Sequence, residues 1–245
     1  MKGLILAAGK DQRLRSVTST WPKPILPVVG RPLLEHVVTL LRHHGVTQLA
    51  INLHHQPATI TAHLGNGQRW GVRIVYSYEQ QLLGSAGAAK KLAWFFDQTF
   101  VVVYGDLYTS LNLGSLVDLH FRHNALATIA LYDVPNPNAC SIVELDDRQC
   151  VRQFVEKPTP EEALSKLANA GVYILEPAVL DFVPPETACD FGRDLFPALL
   201  DSDLPIMGFP IKEPLIDIGT PERYYALQQS HWGAAKAAQV FPDPS

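Results

Sequence analysis

Gly9 follows the apolar run Lys2–Ala8 and opens a polar, basic stretch, Lys10-Asp11-Gln12-Arg13-Leu14-Arg15, before Pro22-Lys23-Pro24. Glycine lets backbone N–H groups close on an anion, and a strand ending in such a turn is where α/β sheets hold phosphate. Arg13 offers a planar fork to phosphate oxygens, and Lys23, set between two prolines, is a stiffly mounted point charge. Neither GxxxxGK[ST] nor GxGxxG occurs in the stretch, so the usual triphosphate and dinucleotide loops are excluded. Solvated cations on a surface turn would explain Gly9 and Arg13 alone. The preceding strand and the Pro-Lys-Pro element favour an anion site.

Two carboxylates stand where they could serve that anion. Phe100–Tyr104 reads as an apolar strand ending in Gly105-Asp106, which places an acid at the same sheet edge. One carboxylate plus nucleotide phosphates is a common way to hold Mg²⁺. Asp217 lies within Leu215-Ile-Asp-Ile, where an acid is costly to bury without a cation or donors; it is a candidate second metal ligand. Either aspartate could instead cap a turn.

Glu156-Lys157-Pro158 ends a strand with an acceptor for sugar hydroxyls beside a cation for phosphate, although an exposed ion pair before a proline turn would look the same. Glu79 through Leu83-Gly84-Ser85-Ala-Gly87 gives a small-residue helix entrance suited to a base ring, with N–H groups that can also face phosphate. The adjacent histidine pairs 43–44 and 54–55 point different ways and do not make a metal site. Trp70, Trp94 and Trp232 read as packing residues.

The elements that must position these groups alternate. Short β-branched runs at Gly3–Ala8, Gln48–Leu53, Val72–Tyr76 and Phe100–Tyr104 are separated by amphipathic runs starting at Pro32, Pro57 and Gly84, the pattern of βαβ units. Beyond a helix near Gly114–Arg122, strands are expected at Ala127–Tyr132, Ser141–Leu145 and Val151–Val155, an added small β element. Helices follow near Pro160–Lys166, Pro177–Phe182 and Gly192–Leu200, a strand at Ala170–Leu175, short strands around Ile206–Phe209 and Leu215–Asp217, and a helix from Pro221. The expected body is one domain over 1–235, with a nucleotide half over about 1–113, a sugar-phosphate half over about 114–235 and a tail over 236–245.

The 245 residues are 47% hydrophobic and 18% charged, with 20 basic and 24 acidic side chains. A net charge of −4 without a basic block speaks against nucleic-acid or anionic-membrane partners. Three cysteines lacking CxxC spacing suggest reduced thiols and a cytoplasmic setting. The opening residues do not read as a signal peptide, and no apolar run would span a bilayer.

Taken in chain order, Leu6-Ala7-Ala8-Gly9…Arg13, Pro22-Lys23-Pro24, Glu79…Gly84-Ser85, Gly105-Asp106, Glu156-Lys157-Pro158, Asn169-Ala-Gly171-Val-Tyr173 and Asp217-Ile-Gly-Thr resemble the sugar-1-phosphate nucleotidyltransferases over nearly the whole chain. The short mannose-1-phosphate guanylyltransferase-like members are most similar, and no segment resembles the β-helix appended to some relatives. The resemblance implies an α/β, Rossmann-like fold: a mixed, mostly parallel sheet flanked by helices. It implies attack of a sugar 1-phosphate on the α-phosphorus of a nucleoside triphosphate, with pyrophosphate leaving in line. Leu6, Ala7, Ala8, Gly9 and Lys10 with Arg13 would hold phosphates, Lys23 would steady the transferring group, and Asp106 and Asp217 would hold Mg²⁺. Glu79, Gly84 and Ser85 would frame the base, and Glu156, Lys157, Asn169 and Gly171 the sugar phosphate. A homodimer is a reasonable expectation.

One departure stands out: Asp11 occupies a position where the family usually has glycine, and puts negative charge beside a triphosphate. Glu79 accepts only, so guanine, with two donors on one edge, suits it better than uracil with one. Uridylyl transfer to glucose 1-phosphate or N-acetylmuramate 1-phosphate, GDP-heptose synthesis, a cytidylyltransferase for a non-sugar phosphate and a non-catalytic regulatory homologue remain alternatives.

Overall fold

The computed structural model describes residues 1–9, 14, 21–162 and 164–229. Lys10, Asp11, Arg13, Trp232 and the expected tail lie outside the described residues. The early strands are β1 (Lys2–Leu6), β2 (Pro27–Val28), β3 (Arg31–Pro32), β4 (Gln48–Leu53), β5 (Arg73–Tyr78), β6 (Phe100–Tyr104) and β7 (Leu107–Thr109). The later ones are β8 (Ala127–Asp133), β9 (Ser141–Leu145), β10 (Val151–Glu156), β11 (Leu167–Leu175), β12 (Ile206–Pro210) and β13 (Leu215–Asp217). Helices are α1 (Leu33–His43), α2 (Pro57–Leu64), α3 (Gly84–Lys91), α4 (Leu113–Arg122), α5 (Phe196–Asp201) and α6 (Pro221–Gln229). Together they form a mixed, mostly parallel central sheet with flanking helices.

Contacts divide the chain into two compact units. The first takes the described residues of Met1–Gln81, Val103–Ser110 and those from Pro214 on. Here β1, β4 and β5 are parallel, with Leu6 opposite Asn52 and Leu53 opposite Tyr78. Helix α1 follows from its sequence: Leu33, Leu34, Val37, Val38, Leu40 and Leu41 are all buried, and Gly45, at φ +76°, ends it in a conformation that costs glycine little. A second apolar cluster joins Leu26, Val28, Leu33, Tyr108, Ile218, Tyr224 and Leu227. It ties the segment after Lys23 to β7 and to the α6 region.

The second unit is Leu82–Val102 with Leu111–Glu213. Its β8 pairs antiparallel with β11 and parallel with β12, and the hairpin β9–β10 joins β11 through Ile142 opposite Ala168. That hairpin is the added β element. Tyr173, Phe191 and Phe196 pack as mutually contacting rings in its core.

Two expectations need correction. No helix occupies the described residues between Pro160 and Lys166, where turn and irregular backbone stand instead; Glu162 closes a local turn, its N–H donating to Thr159 O while its carboxylate accepts from Thr159 N. The helix expected near Gly192–Leu200 is present, as a π-helical segment over Phe191–Leu195 that runs directly into α5. Trp94, expected to pack, is exposed, whereas Trp70 is buried.

Candidate functional site

Lys23 is fixed by its backbone before its side chain does anything. Pro22 holds φ at −65°, and the N–H groups of Ile25 and Leu26 donate to the carbonyls of Pro22 and Lys23. The ammonium is almost buried, with 8% of the side chain exposed, and its Nζ lies 2.6 Å from Asp106 Oδ2 and 3.6 Å from Asp217 Oδ1. Two aspartates far apart in sequence thus converge on one cation.

The local folding explains how. The Gly105 N–H donates to Leu6 O at 2.8 Å, and a Cβ at position 105 would sit 2.9 Å from that same oxygen. Only glycine lets the turn carrying Asp106 close against the end of β1. Asp217 arrives because β13 pairs antiparallel with β7, placing it opposite Leu107. Gly219 leaves room for it, since a Cβ there would fall 2.9 Å from Asp217 Oδ2. Arg223 Nη1, 3.2 Å from that oxygen, supplies a second cation.

Asp217 Oδ1 is buried and makes no hydrogen bond. Its nearby cation, the Lys23 ammonium at 3.6 Å, stands beyond hydrogen-bond reach, so this buried oxygen keeps a free acceptor position, and it is a hard oxygen of the kind Mg²⁺ selects. Together with Asp106 it fits a magnesium ion. Among the described residues no cluster of three or more His, Cys, Asp or Glu could hold a metal, so an ion here would complete its shell with phosphate oxygens and water.

Of the predicted nucleotide residues, Gly9 is exposed, whereas Ala7 and Ala8 are buried at the end of β1. The Ala7 N–H is already engaged, donating to Asn52 Oδ1 at 2.8 Å. Glu79 is 1% exposed. Asn52 Nδ2 donates to its Oε1 at 2.8 Å, and His54 Nδ1 lies 2.9 Å from its carbonyl oxygen. Lys23, Asp106, Asp217, Glu79 and the β1 end all belong to the first unit.

The second unit holds the remaining predicted residues. Gly84 adopts φ +71° beneath Cys189 O. The first N–H groups of α3 are taken by protein acceptors: Ser85 by Asp190 Oδ1 at 3.0 Å, Ala86 and Gly87 by Cys189 O. The Ser85 hydroxyl donates to Asp190 and accepts from Phe191 N. That helix end therefore cradles its own chain. Burial with two nearby carboxylates pushes the Cys189 thiol up from its ordinary range.

Glu156 and Lys157 are exposed, with Ser141 Oγ donating to Glu156 Oε2. Lys157 holds φ +48° while its N–H donates to Cys140 O. Asn169 Oδ1 accepts from Gly171 N at 3.0 Å, and its Nδ2 donates to Tyr173 Oη at 2.9 Å. These two residues form the irregular stretch of β11 where its register against β8 shifts.

Sequence reasoning missed Asn52, Arg223 and Asp190. Asn52 carried a readable signal: a polar side chain inside the apolar run Leu49–Leu53 must find buried partners. Asp190 carried none, because its partner Ser85 is 105 residues away.

A family model described as Nucleotidyl transferase matches residues 2–231. A Synechocystis sp. protein named UTP–glucose-1-phosphate uridylyltransferase is 42% identical over 243 residues, covering 93% of this chain and 63% of that protein. A Mycobacterium tuberculosis mannose-1-phosphate guanylyltransferase is 33% identical over 223 residues, covering 90% and 62%. The chain thus spans a little over three-fifths of the length of these relatives. Among solved structures, HddC from Yersinia pseudotuberculosis superposes with a TM-score of 0.79 at 25% identity, covering 93% of this chain and 98% of that one, and the same protein was also solved complexed with GMP-PN. On these matches, the chain belongs to the nucleotidyl transferase family.

Proposed function

We propose that this protein transfers a nucleoside monophosphate from a nucleoside triphosphate to a sugar 1-phosphate, releasing pyrophosphate in a magnesium-dependent reaction in the cytosol. The observation that carries the reading is the convergence of Asp106 and Asp217 on the Lys23 ammonium. Phosphoryl transfer asks a protein mainly for alignment and charge neutralisation, and this arrangement provides both signs of charge on rigid mounts. Lys23 neutralises the transferring phosphoryl group, Asp106 and Asp217 hold Mg²⁺, and Arg13 and the Gly9 turn grip the outer phosphates. When bound, the ion supplies electrostatic stabilisation of charge on phosphate oxygens. Glu79, Gly84 and Ser85 are assigned to the base, and Glu156, Lys157, Asn169 and Gly171 to the sugar phosphate.

The Glu79 acceptor favours GTP, with mannose 1-phosphate as first choice of sugar. A second reading, UTP with glucose 1-phosphate, is supported by the name of the 42% identical Synechocystis relative. The test is pyrophosphate release with GTP, UTP, ATP, CTP and dTTP, each with mannose, glucose, heptose and N-acetylmuramate 1-phosphates, with and without Mg²⁺. Release that requires both sugar phosphate and Mg²⁺ supports the proposal. Nucleotide binding without release under any pairing would sink it in favour of a non-catalytic homologue.

A further inference from the structure

Asn52 sits on the middle of three parallel strands, opposite Leu6 on one side and Ser77 on the other. Its side chain reaches past both neighbours at the carboxyl edge of the sheet. Oδ1 accepts from Ala7 N, and Nδ2 donates to Glu79 Oε1, each at 2.8 Å. The chemistry fixes this orientation: an N–H needs an acceptor and a carboxylate needs a donor, so a flipped amide would fail both. Asn52 is 4% exposed and Glu79 1%, and neither bond has much competition from water.

Glu79 is held at its backbone as well. Its N–H donates to Leu53 O at 2.8 Å, and its carbonyl accepts from His54 Nδ1. With the main chain pinned by Leu53 at the end of β4 and by His54 just after it, the remaining freedom is in the side chain, and Asn52 holds that too. The same amide fixes Ala7, two residues before Gly9. We infer that Asn52 is a positioning residue that aims the Glu79 carboxylate at the nucleobase and couples that aim to the turn at the end of β1. The inference rests on the proposed function, in that it takes Glu79 as the group that meets the base.

Three substitutions separate this role from plain structural support. Asn52→Asp keeps an acceptor for Ala7 N but sets a like charge against Glu79. Glu79→Gln removes the charge. The double variant restores one donor–acceptor pair with the partners exchanged. The readouts are GTP and UTP dissociation constants by calorimetry with Mg²⁺, kcat and KM for pyrophosphate release, and thermal midpoints to confirm folding. Asn52→Asp is expected to weaken binding of the preferred triphosphate about tenfold, the scale of one hydrogen bond to a charged group. It should compress the GTP/UTP ratio by a similar factor and leave kcat within about twofold. In the Glu79→Gln background the same substitution should cost no further selectivity. An unchanged ratio, an equal loss in the Glu79→Gln background, or a fall in kcat at constant KM would each overturn the inference. Should Asn52→Asp not fold, Glu79→Gln compared with the double variant decides the question. Absence of any turnover by the unmodified protein would defeat the proposed function instead, and the binding ratios would still judge Asn52.

Discussion

The Lys23 ammonium meets the Asp106 carboxylate at 2.6 Å, although 83 residues separate them in sequence. One end of that pair is mounted between prolines and the other on a glycine turn pressed against β1, so neither can drift without moving backbone. If the carboxylates serve as assigned, Asp106→Asn and Asp217→Asn will fold normally and lose activity on the order of a hundredfold or more, the scale of removing one preorganised electrostatic contact. Titrating Mg²⁺ against initial rate checks this. Unchanged magnesium dependence in both variants would remove them from the metal site.

Gly219→Ala tests the space that Asp217 needs. The new Cβ would fall 2.9 and 3.0 Å from the two carboxylate oxygens, and a short side chain has to turn away. The expected outcome is about a tenfold rise in the magnesium concentration needed for half-maximal rate, roughly 1.4 kcal/mol. The thermal midpoint should barely change. Full activity at ordinary magnesium would show that Asp217 tolerates displacement.

His36 makes stability depend on pH. Its Nε2 lies 2.7 Å from Val28 O, its ring stacks edge-on to Tyr108, and burial is the main cause that lowers its pKa to about 4. The folded state therefore holds a neutral imidazole, while the unfolded chain takes up a proton below about 6.5. Stability is complete above that pH and falls as pH drops towards 4, by about 3 kcal/mol from this group. His36→Gln keeps a donor for Val28 O without the titration. Urea unfolding at pH 7 and pH 4.5 should show a smaller drop for the variant. Part of the drop should persist, because burial also lowers the His120 pKa. Equal drops in both proteins would count against the assignment.

Gly84 and Gly45 both hold positive φ, but only Gly84 has a neighbour, with a Cβ falling 2.5 Å from Cys189 O. Gly45→Ala should cost about 1–2 kcal/mol for the left-handed backbone alone. Gly84→Ala should exceed that by roughly 1–3 kcal/mol because backbone, not a flexible tip, blocks it. Equal costs measured by denaturant unfolding would mean that the α3 entrance yields.

Much of this was legible before any coordinates. Regular periodicity gave β1, β4, α1 and β6 within a few residues, and the Gly105-Asp106 break placed Asp106 at a strand end. The strand β7 was not foreseen, because three residues directly after a turn carry no period. Yet β7 is what brings Asp217 in. Likewise the Lys23–Asp106 pair is non-local: residue types nominated both partners, and only the sheet topology could bring them together. The amide of Asn52 and the carboxylate of Asp190 show the same limit, since each owes its role to a partner on another segment.

The first unit is assembled from three separate stretches, the last beginning at Pro214. On a ribosome, Asp217 therefore emerges after Lys23, Asp106 and the whole second unit, and until β13 follows, the β7 edge lacks that partner and Lys23 lacks that carboxylate. A nascent chain arrested before Pro214 would carry every residue of the second unit, and Lys23 and Asp106 without Asp217. The set of charges around Lys23 is thus completed only after the whole second unit has been synthesised.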